Sequence, residues 1–303
     1  TAIEVGDLVL QQEQAEALAY HHSQSPAPAK AVPYLITAAE DATRRGATEI
    51  AIQHLRRARS LMEPPHAGWD EQRARVAISM GEALKLLGAY PEAKELLEEA
   101  VQQLGSDSPD LPEPDLLALQ IKGLRELADV KIREGRLDEA AEHLEMGKSR
   151  LGAKAARQHP HLWRLLIDRL DWVRFRQGKL EEAFGLASSA TLHLDERAAD
   201  DPMTLASLYN TIGGVFWQWG NLPEAAAYVE RSLALYEGLD YAWGMANAYS
   251  NLGVLSHLQG SWCQASNYYE RALDLRRENG YVPEQADSLN NLGQLHLMLG
   301  EHD

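Results

Sequence analysis

Two groups of side chains in this 303-residue sequence have the types and spacing to hold a ligand. The first is cationic, with Lys122, Arg125 and Arg133 followed by Arg169, Trp172 and Arg176, and with Arg75 and Lys85 ahead of them. A stripe of cations in a chain of net charge −16 would draw an acidic peptide or an anionic metabolite. The same segments carry Glu82, Glu126, Asp129 and Asp168 at helical spacing, so pairing within the chain is equally open. The second group is polar and aromatic: Asn210, Trp217, Asn247, Asn251, His257, Asn290, Asn291 and Gln294, with Ser207, Ser250 and Asp287 among them. An asparagine amide both donates and accepts, which suits an extended peptide backbone, and tryptophan adds rigid apolar area. Trp217 and Trp219 flank Gln218 on adjacent faces, which predicts that at least one of them is core.

Residues suited to bond-making chemistry are not arranged for it. There is no Gly-x4-Gly-Lys-Ser/Thr phosphate loop and no His-Glu-x-x-His. His21-His22 and His159-Pro160-His161 are the tight histidine groupings, and neither has an acidic residue at ligand spacing. Cys263 is the single cysteine, so no disulfide forms within the chain and no cysteine zinc site is available. The expectation is a protein without catalytic residues, cofactor or metal, and one suited to a reducing cytoplasm. A pI near 5.1, with four Lys/Arg against twelve Asp/Glu from residue 201 onward, argues against direct nucleic-acid binding. No apolar run approaches the length of a membrane span. The first residue is not methionine and the sequence stops at Gly300-Glu-His-Asp303, from which a piece of a longer protein is expected.

These residues have to be positioned by helices, and the helices repeat. Glycines at 46, 88, 135, 178, 220, 260 and 300 are separated by 42, 47, 43, 42, 40 and 40 residues. Five residues after the first six of them stand Ala51, Ala93, Ala140, Ala183, Ala225 and Ala265. Four residues further stand Leu55, Leu97, Leu144, Ala187, Val229 and Tyr269, one helical turn along the same face. A fixed period of this size predicts stacked copies of one helical hairpin, each closed by a left-handed glycine and crossed closely at the alanine. Pro91 and Pro223 fall where the second helix begins. Two helices over 7–22 and 29–45 form a leading hairpin. The predicted organisation is therefore an N-terminal hairpin, 1–46, joined to a repeat array, 47–303, whose last copy is cut.

Tyr249-x-x-Leu252-Gly253 followed by Ala265-x-x-x-Tyr269-x-x-Ala272 resembles the tetratricopeptide repeat. The likeness is strongest over 206–300 and weaker before residue 120, where the corresponding places are Ala77, Met80 and Gly81. The period departs from the usual thirty-four residues and is similar to the long-repeat subclass found in kinesin light chains and bacterial STAND signalling ATPases. The opening, Ala15-Glu-Ala-Leu-Ala-Tyr-His-His22 through Ala51-Ile-Gln-His-Leu-Arg-Arg-Ala58, resembles the stretch that follows the ATPase and winged-helix modules of STAND regulators of the maltose-activator and cyclase-linked kinds. The resemblance implies an all-α, right-handed α-solenoid whose inner face, lined by the first helix of each hairpin, binds a protein or peptide. It also implies a sensor role beside an ATPase outside this sequence. A receptor for an anionic metabolite or sugar, and a stand-alone scaffold or assembly protein, are the alternatives.

Overall fold

The computed structural model describes residues 15, 17–22, 28–44, 47–63, 70–105, 114–195, 201–280 and 282–299. Those residues form α-helices and one short 3-10 turn, Pro28–Ala31. The helices are α1 (Val32–Arg44), α2 (Thr48–Leu61), α3 (Asp70–Leu86), α4 (Tyr90–Gln103), α5 (Pro114–Arg133), α6 (Leu137–Gln158) and α7 (Pro160–Arg176). They continue as α8 (Leu180–Asp195), α9 (Pro202–Gln218), α10 (Leu222–Gly238), α11 (Ala242–Leu258), α12 (Trp262–Glu278) and α13 (Val282–Leu299). Of the predicted helix over 7–22, only residues 15 and 17–22 are described, and they are helical. The boundary at Gly46, the proline-rich linkers at 64–65 and 109–113, and Gly300 lie outside the described residues.

The chain divides into two compact units, 1–162 and 163–303. In unit 1, α1 packs on α2, α3 on α4 and α5 on α6, and each hairpin packs on the next. Unit 2 repeats the scheme with α9 on α10 and α11 on α12, while α13 closes against α12. Each unit is thus an all-helical stack of sequential hairpins.

The repeat residues explain the hairpin. Gly88, Gly135, Gly178, Gly220 and Gly260 have φ between 74° and 79°, the left-handed conformation that ends a helix at low cost only for glycine. The next residue then donates its N–H back across the turn, as Asn221 does to the Phe216 carbonyl at 2.9 Å and Ser261 to the Ser256 carbonyl at 2.9 Å. All six alanines five residues beyond the repeat glycines have no exposed surface. A larger side chain there would force the two helix axes apart. Opposite them, the place seven residues before the turn glycines at 88, 135, 178, 220 and 260 holds Gly81, Ala128, Asp171, Gly213 and Gly253. A Cβ added at Gly253 would lie 2.5 Å from the Tyr269 ring, and one at Gly213 would lie 2.7 Å from Val229. The largest residue on the second helix, Tyr269, meets a glycine on the first.

Between these fixed points the cores follow helical periodicity. Ala93, Leu96, Leu97 and Ala100 form the buried face of α4, and Ala265, Tyr269, Ala272 and Leu273 that of α12. Burying each leucine in such a face contributes about 1.5–3 kcal/mol. Helix α9 has a side-chain cap: Asp201 accepts from the Thr204 N–H at 3.1 Å, satisfying one of the helix's unpaired donors. Pro91 and Pro223 lie in the first turn of α4 and α10, where a missing N–H costs nothing.

Candidate functional site

The first helices of unit 2 wall a cleft with two adjoining compartments. The polar compartment has a volume of about 360 Å³ and is lined by Arg169 and Trp172 of α7, Ser207 and Asn210 of α9, Trp243, Asn247, Ser250 and Asn251 of α11, and Asp287 and Asn291 of α13. The apolar compartment, of about 140 Å³, shares Trp172, Asn210, Asn251 and Val254 and adds Phe175, Thr211, Gly213, Gly214 and Trp217.

Hydrogen bonds fix how the amides of this wall present themselves. Asn251 Nδ2 donates to Asn210 Oδ1 at 2.9 Å, leaving the Asn210 NH2 and the Asn251 carbonyl for a ligand. Arg276 reaches the cleft from the second helix α12 and is nearly buried. Its guanidinium donates to Asn247 Oδ1 at 3.1 Å, to Ser288 Oγ at 2.5 Å and to the Glu284 carbonyl at 3.0 Å. Arginine has no acceptor, so the Asn247 carbonyl must face it and the Asn247 NH2 is left as a donor. Ser250 Oγ is buried and has no hydrogen-bond partner among the described residues. Burial pulls the Arg276 pKa below its usual value, while Asp287 and Glu284 oppose that fall.

Asp171, on α7, is fully buried and takes the repeat place that elsewhere holds glycine or alanine. The place sixteen residues on is Ala187, where other copies have leucine, valine or tyrosine, so volume lost on one helix is returned on the other. Burial, and then the neighbouring Asp168 charge, push its carboxyl well above the usual carboxylate range, although the Trp172 N–H and Thr211 hydroxyl bond to it.

The cationic residues divide between the units. In unit 1, Lys122 pairs with Glu82 at 2.8 Å, Arg125 with Glu126 at 3.4 Å, and Lys85 with both Glu126 and Asp129. Arg75 pairs with Glu71 at 3.3 Å. Arg133, at the end of α5, is exposed. In unit 2, Arg169 lines the polar compartment, and the exposed Arg176 lies over the Trp172 ring at 5.1 Å.

Of the polar group, Asn210, Asn247, Asn251 and Asn291 come together in the cleft with Trp217 beside them. His257, Asn290 and Gln294 are not among its lining residues; His257 Nε2 lies 3.1 Å from Met298 Sδ. The expectation that Trp217 or Trp219 is core is corrected, since they are 39% and 43% exposed. Trp219 caps α9 and lays its ring against Phe184 and Phe216, leaving its outer face to solvent. Sequence reasoning missed Phe175, Thr211, Gly214, Tyr236, Trp243, Val254 and Arg276. Gly214, Phe175 and Val254 are findable from their fixed offsets to the turn glycine; Arg276, on a second helix, is not. Among the described residues no three His, Cys, Asp or Glu side chains are grouped to hold a metal ion, and no helix is long and apolar enough to cross a membrane.

The tetratricopeptide repeat family model matches residues 244–303. No curated protein matches the sequence. Among solved structures, apo RapI is similar with a TM-score of 0.71 and 13% identity, over 92% of this chain and 95% of that one. A Rap protein complexed with Competence and Sporulation Factor gives 0.64 and 13%, over 91% and 73%. The STAND protein with a tetratricopeptide repeat sensor from Pyrococcus horikoshii gives 0.60 and 15%, over 93% of this chain and 42% of that one. At such identities the likeness carries the fold and leaves function to the site. In fold, this chain is similar to tetratricopeptide-repeat proteins, and the family model itself matches its last sixty residues.

Proposed function

We propose that the chain is a non-enzymatic binding module whose unit 2 cleft holds an extended protein segment or peptide, and that it serves as the sensor of a larger STAND-type signalling ATPase. The observation that carries the binding reading is the ordered set of amides on the first helices. The Asn247 NH2 and Asn210 NH2 stand as donors and the Asn251 carbonyl as an acceptor, in one cleft. A peptide backbone offers a carbonyl and an N–H at every residue and needs both kinds of partner. The unpartnered Ser250 hydroxyl adds a group that a ligand would satisfy. Support for the sensor role comes from the likeness to the Pyrococcus horikoshii STAND protein and to the Rap protein solved with Competence and Sporulation Factor.

Selection of a random heptapeptide display library on the chain, followed by calorimetry with the selected peptides, tests the binding reading. Asn251→Ala and Asn247→Ala should each weaken binding about tenfold, the loss of one or two hydrogen bonds in a desolvated site. Binding unaffected by both would place the peptide elsewhere. The sensor role is tested by whether the gene also encodes a phosphate-loop ATPase, and fails if it does not. A second reading, a receptor for a small polar effector, is favoured by the 360 Å³ of the polar compartment, which is within the range of small-molecule sites. Such an effector would raise the melting temperature in a concentration-dependent way where peptides do not.

A further inference from the structure

We infer that the apolar compartment at Gly214 is an anchor subsite that takes a single aromatic or branched aliphatic side chain of the bound peptide. The inference rests on the peptide reading of the cleft.

Gly214 forms part of the wall of the hollow. Gly213 and Gly214 are adjacent on α9 but serve different ends. Gly213 stands seven residues before the turn glycine Gly220, and a Cβ there would run into Val229 and the Ala225 carbonyl oxygen, so packing of α10 requires it. Gly214 is one place on, where the other copies carry Glu82, Asp129, Trp172, Val254 and Gln294. Its missing side chain would meet only the end of the Phe175 ring, at 3.0 Å. Hairpin packing therefore does not ask for glycine at 214. Glycine in a helix interior also costs roughly 0.5–1 kcal/mol relative to alanine. What it leaves is a space between Trp172 and Phe175 of α7, Trp217 of α9 and Val254 and Leu255 of α11.

Size and polarity limit the occupant. A volume of about 140 Å³ is close to that of an engineered apolar cavity that binds benzene, so the hollow suits one ring or one branched chain. None of its lining residues is ionisable, so a charged group buried there would have no counter-charge. The adjoining polar compartment is lined by Arg169, Arg276 and Asp287, and the Arg276-bound amide of Asn247 presents a fixed donor there. That complements the carbonyl oxygens of a peptide backbone. Because Trp172, Asn210, Asn251 and Val254 border both compartments, a backbone held by the amides passes directly over the hollow. Exposed tryptophan at its mouth, Trp217, gives the anchor a rigid face to pack on.

The test uses the full chain and heptapeptides selected from a random display library. Selected peptides should share one position restricted to Phe, Tyr, Trp, Leu or Ile. Replacing that peptide residue by alanine should weaken binding to the wild type at least tenfold. Gly214→Leu, which fills the hollow from within, should weaken the parent peptide to a similar degree and be indifferent to the alanine replacement. Gly214→Ala, which adds one methyl group, should give a smaller loss in the same direction and serves if the leucine variant does not fold, as judged by circular dichroism. Peptides that bind wild type and both variants equally, or that show no apolar position while still depending on Asn251, overturn the anchor and leave the peptide reading standing. If no peptide is selected, the peptide reading falls and the anchor with it. Indole or p-cresol that shifts the tryptophan fluorescence of the wild type but not of Gly214→Leu would then assign the hollow to a small aromatic ligand instead.

Discussion

The same repeat places are used in opposite ways in the two units. One residue past the packing glycine or alanine, unit 1 carries Glu82 and Asp129, whereas unit 2 carries Trp172, Gly214 and Val254. Four residues past it, Lys85 of unit 1 corresponds to Phe175 and Trp217 of unit 2. In unit 1 the charges close on one another: Lys85 reaches Glu126 and Asp129, and Lys122 reaches Glu82. In unit 2 Trp172, Phe175, Gly214, Trp217 and Val254 occupy five of those places and line a cavity, while Gln294 and His257 occupy two others. Hairpin packing constrains the alanine and glycine places severely and leaves these neighbours free. A single fold can therefore use the same surface for an internal ion-pair network or for an open cleft.

The largest effect should come from opening the closed side. Burial works against the Lys85 ammonium, but Asp129 and then Glu126 overcome it and hold its pKa above the usual lysine value. Glu126 itself is 2% exposed. Lys85→Met removes the cation and leaves two carboxylates facing each other, which should cost about 3 kcal/mol in denaturant unfolding. Peptide binding by unit 2 should be unchanged, and a loss there would break the division of labour. Because the folded pKa is the raised one, the Lys85 contribution is fully present below pH 10.5 and disappears as pH climbs through the higher folded value.

Next in size is a contrast between glycines. Gly253→Ala drives a Cβ to 2.5 Å from the buried Tyr269 ring and should destabilise by about 1–3 kcal/mol. Gly214→Ala gains helix propensity and asks the end of the Phe175 ring, 3.0 Å from the new Cβ, to give by a few tenths of an ångström, so it should cost less than Gly253→Ala. Equal costs at the two positions would mean that Gly214 is a packing residue after all.

Asp171 sharpens the comparison from within unit 2, because unit 1 has Ala128 at that place. Its carboxyl keeps its proton in the folded state at pH values where the unfolded chain has lost it, so stability falls as pH rises above 3.8 toward the raised folded value. Asp171→Asn should relieve this, on the order of 1 kcal/mol for each unit of the rise. The gain should shrink as the pH is lowered toward 4. A pH-independent gain would show that the carboxyl is ionised in the folded protein.

The repeat glycines and alanines were legible because their demands are local: a left-handed turn and a close crossing recur with every copy, and only two residue types meet them well. Asn210, Asn247 and Asn251 were legible as cleft residues because they sit at regular offsets on first helices. Arg276 was not, because it comes from a second helix and becomes part of the wall only when α11, α12 and α13 pack. Glu82, Glu126 and Asp129 were legible as partners for the cations, but not which cation each would meet, since Lys85 and Glu126 lie 41 residues apart and meet across two stacked hairpins.

By itself, the sequence determined the hairpin, its period, its turn and the residues that must be small, all consequences of short-range backbone and packing rules. Only the tertiary structure decided which repeat places close on themselves and which stay open. That choice depends on the side chain supplied by the neighbouring copy, and stacking determines which neighbour that is.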